Sequence, residues 1–315
     1  MSDLAVRKPG YQLRNFLSEW QALKYLSSAG MILSMTFCTT GGTAQSTVEP
    51  THRDVVYATV DAKELKLDLY LPAGRSNPML LVWVHGGAWR TGSKDFVPKF
   101  FIENGIATAS LDFRASTEGQ FPAAVHDIKA AIRFLRAKAP EFGYKTDRIG
   151  IAGASSGGHL AALVGVSNNH PELEGTIGEY PNESSEVHAI IDYYGASNLT
   201  TILSQSTPHG LNVRKAALEF LLGGQPENVP ELARLASPVF HVDRSDPPLL
   251  LIHGDQDIQM PINQAHELEG KYREQFLDVQ LQVLYGVGHG GDAFYSEEYV
   301  KLAVNFLRRT LQDGK

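Results

Sequence analysis

Ser155 stands in Gly153-Ala154-Ser155-Ser156-Gly157, after the apolar run 149–152 and before Gly158-His159-Leu160-Ala161-Ala162-Leu163-Val164. A strand, then G-x-S-x-G, then a helix is an arrangement that lifts a serine hydroxyl clear of a sheet. Gly153 and Gly157 leave room for neighbouring backbone to pass close by. The start of the helix presents free N–H groups that favour negative charge. A hydroxyl is a weak nucleophile until a base takes its proton and an acid orients that base. For this kind of turn the acid and then the histidine come later in the chain. His289, in Gly286-Val287-Gly288-His289-Gly290-Gly291, has little packing to do in so glycine-rich a loop and is the candidate base. His266 falls within a helical stretch, and His253 precedes a glycine at a strand end, where fixing the turn is the simpler role. Two carboxylates, Asp255 and Asp257, follow the apolar run 249–252. Asp257 lies deeper in the loop and is favoured as the acid, while Asp255 suits shaping the turn. Upstream, His85-Gly86-Gly87-Ala88-Trp89 follows the apolar run 79–84. Its glycines allow backbone N–H groups to turn inward and stabilise charge developing on a carbonyl oxygen. The N–H of Ser156, next to the nucleophile, completes such a set. The chemistry implied is acyl transfer.

Elements at regular intervals have to hold these residues in place. Segments 55–60 and 65–71 read as an antiparallel pair closed by Pro72. Segments 79–84 and 106–113 are near-continuous apolar runs, as in strands covered on both faces. Further strands are expected at 149–152, 189–194, 249–252 and 279–285. Helices are expected at 96–104, ending at Gly105, and at 122–137, 262–276 and 297–311. Alternation of this kind predicts an α/β fold, a mostly parallel twisted sheet with helices on both faces. Ligands then bind beyond the carboxyl ends of the strands. Residues 199–246 break the rhythm, with a helical piece at 213–222 amid Gly223-Gly224, Pro226 and Pro230. Such an insertion forms a lid or a binding wall, or simply packs.

With 315 residues, 43% apolar and 20% charged, the chain has the composition of a soluble globular protein with a sizeable core. A net charge of −7, with no basic stripe interleaved with aromatics, argues against a nucleic-acid partner. Residues 1–50 differ from the rest. Basic residues at Arg7, Lys8, Arg14 and Lys24 precede the apolar run 26–38 and the small residues Gly42-Thr43-Ala44. That is the plan of a secretory signal peptide, and the apolar run is too short to span a bilayer. Export to the periplasm or medium is expected on this reading. A flexible extension on a cytoplasmic protein is the alternative. The single cysteine, Cys38, lies in this segment, so residues 51–315 hold no thiol for disulfide or metal.

Taken together, Val84-His85-Gly86-Gly87-Ala88-Trp89 with Gly92-Ser93-Lys94, Asp112-Phe113-Arg114, Phe121-Pro122-Ala123 and Asp127-Ile128-Lys129-Ala130-Ala131 resemble a known family. Asp147-Arg148-Ile149, the Gly153–157 turn with Gly158-His159-Leu160-Ala161-Ala162, Pro247-Pro248, His253-Gly254-Asp255-Gln256-Asp257 and Gly288-His289-Gly290 extend the match. The family is the α/β-hydrolase superfamily, in its esterase/lipase branch of hormone-sensitive-lipase-like carboxylesterases and nearest the bacterial feruloyl esterases. The resemblance covers residues 52–312. It implies an α/β-hydrolase fold with Ser155 as nucleophile, Asp257 as acid and His289 as base. It also implies Gly87, Ala88 and Ser156 as oxyanion donors, with Gly86 shaping the turn or contributing. Ala88 replaces a third glycine common in that branch, and Ser156 a more usual alanine. The expected activity is carboxylic-ester hydrolysis of a small molecule through an acyl-enzyme, with neither cofactor nor metal. Another acyl hydrolase on the same machinery, arylformamidase- or peptidase-like, is the first alternative. A non-catalytic binding protein is the second.

Overall fold

Residues 48–312 are described by the computed structural model of the chain. The segment expected to be a signal peptide, with Cys38 and its small-residue site, lies almost wholly outside them. Apolar runs rich in Leu, Val and Ile build the strands β1 (His52–Val60), β2 (Lys63–Tyr70), β3 (Met79–Val84) and β4 (Ala107–Leu111). They continue through β5 (Lys145–Ala154), β6 (Ala189–Tyr193), β7 (Leu249–Gly254) and β8 (Val279–Leu284). The described residues form one eight-stranded sheet in the order β1-β2-β4-β3-β5-β6-β7-β8. β1 with β2 and β2 with β4 run antiparallel, and the remaining pairs are parallel. The pleat sorts the strand residues between two apolar layers. Leu80, Val82, Ile149, Ile151 and Leu251 point to one, while Leu81, Trp83, Ala152, Ile191 and Ile252 point to the other.

Helices cover both layers. On the first lie α2 (Ala123–Phe142), α3 (Ser156–Gly165) and, further along, α8 (Asn263–Glu274). The second is covered by α1 (Phe100–Glu103) and α9 (Glu297–Leu311), with Phe101, Val304 and Leu307 buried. The expected α/β-hydrolase sheet is therefore present, and its antiparallel start lies at 52–70. Several boundaries differ for local reasons. The helix expected over 96–104 shrinks to α1, because Pro98 interrupts its start. α2 continues past residue 137 and through Pro140 before Gly143, at φ 80°, ends it.

Within 199–246 the chain forms α5 (Ile202–Gln205), α6 (Pro208–Leu222) and α7 (Pro230–Leu235), while α4 (Pro171–Glu174) precedes β6. α6 begins five residues before the helical piece expected there, since Thr207 caps it by accepting from Gly210 N and Pro208 fills its first position. Leu218 and Leu221 of α6 and Ala233 of α7 are buried in the first layer. Much of the insertion thus packs on the body.

At the carboxyl ends of β3 and β5 two backbone segments nearly touch. A Cβ placed on Gly157 would lie 2.2 Å from Val84 O and 2.4 Å from His85 O. Gly270, in α8, has open space there instead. Gly157→Ala is therefore expected to destabilise the fold by about 3 kcal/mol through forced backbone displacement. Gly270→Ala should stabilise it by about 0.5–1 kcal/mol, because the helix interior gains a residue that loses less entropy. Urea unfolding midpoints of the two variants check both signs.

Candidate active site

β5 ends where the chain has to turn sharply into α3, and the glycines of that turn are at their limit of approach. A Cβ on Gly153 would fall 2.2 Å from Gly157 O. Ser155 between them takes φ 57° and ψ −122°, a conformation an L-residue holds only when its surroundings fix it. They do: Ser155 N donates to Tyr193 O at 2.8 Å, and Ser155 O accepts from His159 N at 3.1 Å. The hydroxyl of Ser155 reaches the surface of a cavity of about 450 Å³, while Ser156 is only 1% exposed. Of the two neighbouring serines, Ser155 is the one presented.

His289 sits on the loop after β8, and Asp257 on the loop after β7. Close backbone contact joins these loops. Gln256 N donates to Val287 O at 3.0 Å, and a Cβ on Gly254 would lie 2.2 Å from that same oxygen. Asp255 shapes this junction, accepting from Gly286 N at 2.6 Å. Asp257, Asp255's rival for the acid, meets the histidine instead. Asp257 Oδ2 lies 2.6 Å from His289 Nδ1, and His289 Nε2 lies 2.9 Å from Ser155 Oγ. The structure thus brings Ser155, His289 and Asp257 into one hydrogen-bonded line and leaves Asp255 outside it.

The environment of Asp257 keeps it ionised. Burial by itself pushes its carboxyl up. Hydrogen bonds from His253 and His289, the attraction of His289 and the N–H of Met260 outweigh this and hold it well below the usual carboxylate range. Its other oxygen, Oδ1, accepts from Gln259 N and Met260 N at 2.8 and 2.7 Å. His253 donates toward Met260 O at 3.0 Å, so it fixes the loop, as its place at the strand end suggested. An ionised Asp257 beside Nδ1 favours the tautomer that leaves Nε2 free to accept a proton from Ser155.

Across the cavity, the turn after β3 has three residues in succession with positive φ: Gly87 at 126°, Ala88 at 53° and Trp89 at 60°. Arg90 N and Thr91 N both donate to Gly87 O, which closes the turn. Gly86, Gly87 and Ala88 line the cavity with Ser155. No described residue accepts from the N–H groups of Gly87, Ala88 or Ser156. Ser156 itself lies behind the cavity wall, at the first position of α3. Ala88, at φ 53°, occupies a backbone region that suits glycine. A second cleft of about 490 Å³ lies on the far side of this turn and shares Thr91 with the first, but contains neither Ser155 nor His289.

Further residues of the site carry no local signal in the sequence. Tyr194, at φ 45° just past β6, packs its ring edge-on against His289 with centroids 4.9 Å apart. Its position at a strand's carboxyl end is the one clue that could have found it. Val213, Arg214 and Gln259 also line the cavity. Trp89 Nε1 donates to His159 Nδ1 at 2.9 Å, and His159 Nε2 donates to Ala236 O at 2.7 Å. This chain of bonds requires a neutral imidazole, and burial lowers the His159 pKa to about 4 against the smaller opposing effect of the Ala236 bond.

A histidine whose pKa falls from 6.5 to about 4 on folding contributes stability that is fully present above pH 6.5 and is lost as pH falls toward 4. Wild type is therefore expected to be more stable than His159→Gln at pH 7.5, and the gap should narrow by roughly 2 kcal/mol by pH 5. Urea unfolding of both proteins at the two pH values measures it. A gap that does not change with pH would contradict a buried neutral imidazole.

The family model described as BD-FAE matches residues 67–272. Esterase LipC of Mycobacterium tuberculosis is 32% identical over 218 residues, which is 68% of this chain and 53% of that protein. Isoprenylcysteine alpha-carbonyl methylesterase ICME of Arabidopsis thaliana is 30% identical over 219 residues, covering 68% and 50%. The chain spans about half the length of these curated relatives. Among solved structures, a truncated form of a carbohydrate esterase from gut microbiota superposes with a TM-score of 0.77 at 29% identity, over 86% of this chain and 99% of that one. The propionate-bound esterase Est2 of Thermogutta terrifontis gives 0.66 at 26% identity, over 81% and 93%. Most of the sheet and both sides of the Ser155 turn fall inside the matched region, and the chain belongs to the BD-FAE family and has an α/β-hydrolase fold.

Proposed function

We propose that the protein is a serine carboxylic-ester hydrolase working through an acyl-enzyme. The observation that carries this reading is the continuous line from Asp257 through His289 to Ser155 at 2.6 and 2.9 Å, opening on a cavity. Relatives described as esterases support the same reaction class. Ser155 Oγ attacks the ester carbonyl carbon while His289 Nε2 takes its proton. The carbonyl electrons move onto oxygen, and that oxyanion is held by the N–H groups of Gly87, Ala88 and Ser156, with Gly86 setting the turn. Collapse of the intermediate breaks the C–O bond to the alcohol, which leaves with the proton from His289. A water then gives its proton to His289 and attacks the acyl-enzyme, the acid departs and Ser155 regains its proton. Asp257 stays ionised throughout, holding the imidazole and stabilising its cation. Each oxyanion donor contributes roughly 3 kcal/mol to such a barrier.

Ser155→Ala is expected to lower kcat for 4-nitrophenyl butyrate by about 10⁴- to 10⁶-fold, with a residue of catalysis from the remaining groups. A fluorophosphonate probe should label wild type at Ser155 and leave the variant unlabelled, read by peptide mass spectrometry. Asp257→Asn should cost about 10³- to 10⁴-fold by favouring the wrong tautomer. Asp255→Asn, which touches only the turn, should stay within about tenfold. An inactive wild type, or full activity in Ser155→Ala, would overturn the assignment.

The N-terminal segment carries a second proposal, that of export with cleavage after Ala44. Its support is the basic, apolar and small-residue plan of residues 1–44. N-terminal mass spectrometry of protein recovered from the cell envelope or medium should show a chain beginning near Gln45. An intact Met1 on that material would refute cleavage.

A further inference from the structure

Four cations are buried among the described residues: Lys94, Lys129, Arg133 and Arg214. Lys94 meets Asp54 and Asp68 at 2.9 Å each, while Lys129 and Arg133 share Glu174 at 3.0 and 2.7 Å. Arg214 has no described carboxylate within ion-pair distance, and Asp257 attracts it only from further away. It lies on α6 and is 1% exposed, yet it lines the cavity that holds Ser155 and His289. Nε and Nη2 donate to Gln259 O at 3.0 and 2.9 Å. The guanidinium carbon sits 6.0 Å from the centroid of the Trp89 ring. A guanidinium carries five N–H donors, and no described residue other than Gln259 accepts from this one.

A buried charge without a counter-charge costs stability. A carbonyl and an aromatic face offset only part of that cost. Burial does not discharge the group, since its pKa falls only to about 10, well above neutral pH. The cavity that Ser155 lines therefore holds a positive charge attracted by Asp257 from beyond ion-pair distance and met by no described carboxylate at hydrogen-bond distance. Guanidinium presents parallel N–H groups that match the two oxygens of a carboxylate.

We propose that Arg214 is a substrate-binding residue that pairs with a carboxylate carried by the ester, so that the preferred substrates are anionic esters. The proposal rests on the ester-hydrolase reading above. It also gives the 199–246 insertion a definite part in recognition, because α6 carries the charge.

The test compares matched esters. Mono-4-nitrophenyl succinate against 4-nitrophenyl butyrate places the carboxylate on the acyl side. Acetoxyacetate against 2-methoxyethyl acetate places it on the alcohol side. In wild type one charged ester should exceed its neutral counterpart in kcat/KM by about 10- to 100-fold, mainly through KM. Arg214→Gln should abolish that ratio, and Arg214→Lys, which keeps the charge and loses the fork, should restore part of it. Neutral esters preferred on both sides, or a ratio untouched by Arg214→Gln, overturns the proposal. If the variants do not fold, inhibition of wild type decides: succinate should inhibit butyrate-ester hydrolysis about tenfold more strongly than succinamide, and equal inhibition overturns it. Failure of wild type to hydrolyse any of these esters, charged or neutral, would refute the hydrolase reading itself. Neutral turnover without a charged preference refutes only the role of Arg214.

Discussion

The contact between Gly157 and the carbonyls of Val84 and His85 sets the geometry on which everything else at this site depends. It fixes how close the end of β3 comes to the start of α3. The turn at Gly86–Ala88 leaves from one side of that contact and Ser155 from the other, so their separation is a backbone property rather than a side-chain adjustment. Gly86 repeats the contact one step along, since a Cβ there would lie 2.7 Å from Ala154 O. Ser155 keeps its positive φ because its N–H is held by Tyr193 O on β6 and its carbonyl by His159 N in α3. A strained residue of this kind costs about 1–3 kcal/mol, and β6 and α3 jointly hold it.

Two chains of hydrogen bonds join the 199–246 insertion to this rigid centre from opposite sides. On one side Trp89, in the turn after β3, donates to His159, which donates to Ala236 O in the insertion. On the other, Asp257 accepts from Gln259 N, and Gln259 O accepts from Arg214 of α6. The insertion is therefore tied both to the turn after β3 and to the loop that carries Asp257. The charge states along the two paths differ for physical reasons. Full burial keeps His159 neutral, while the bonds from His253, His289 and Met260 N keep Asp257 ionised despite its own burial.

How much of this was legible in the chain depends on the range of the forces involved. Glycines at strand ends act within a few residues, so Gly153, Gly157 and the Gly86-Gly87 pair marked the turns directly. The apolar runs located every strand of the sheet, and the antiparallel start followed from the short gap between 60 and 65. Charged residues of the matched motifs prove to be pins. Lys94 is buried between Asp54 and Asp68, and Asp127 holds Arg114 through both its oxygens. Helix ends were less legible where capping decides them, as at Thr207-Pro208, or where a proline is absorbed, as at Pro140. Tyr194 against His289, Trp89 against His159 and Arg214 against Gln259 were not legible. Each joins residues far apart in the chain, and no spacing rule records such a meeting.

That division follows the origin of each part of the site. Ser155, His289, Asp257 and the Gly86–Ala88 turn all stand just past the carboxyl ends of strands in one part of the sheet. The sheet order β3-β5-β6-β7-β8 puts those ends side by side, so local signals in the right order suffice to assemble them. Val213 and Arg214 come from an insertion between β6 and β7 whose position is set by packing of Leu218, Leu221 and Ala233 and by several hydrogen bonds to the body, those of His159 to Ala236 O and of Arg214 to Gln259 O among them. Its contribution to the cavity depends on tertiary contacts rather than on the order of the strands. The placing of Ser155 against the Gly86–Ala88 turn is thus fixed by backbone approach, and the one buried cation of the cavity by an insertion packed on the body.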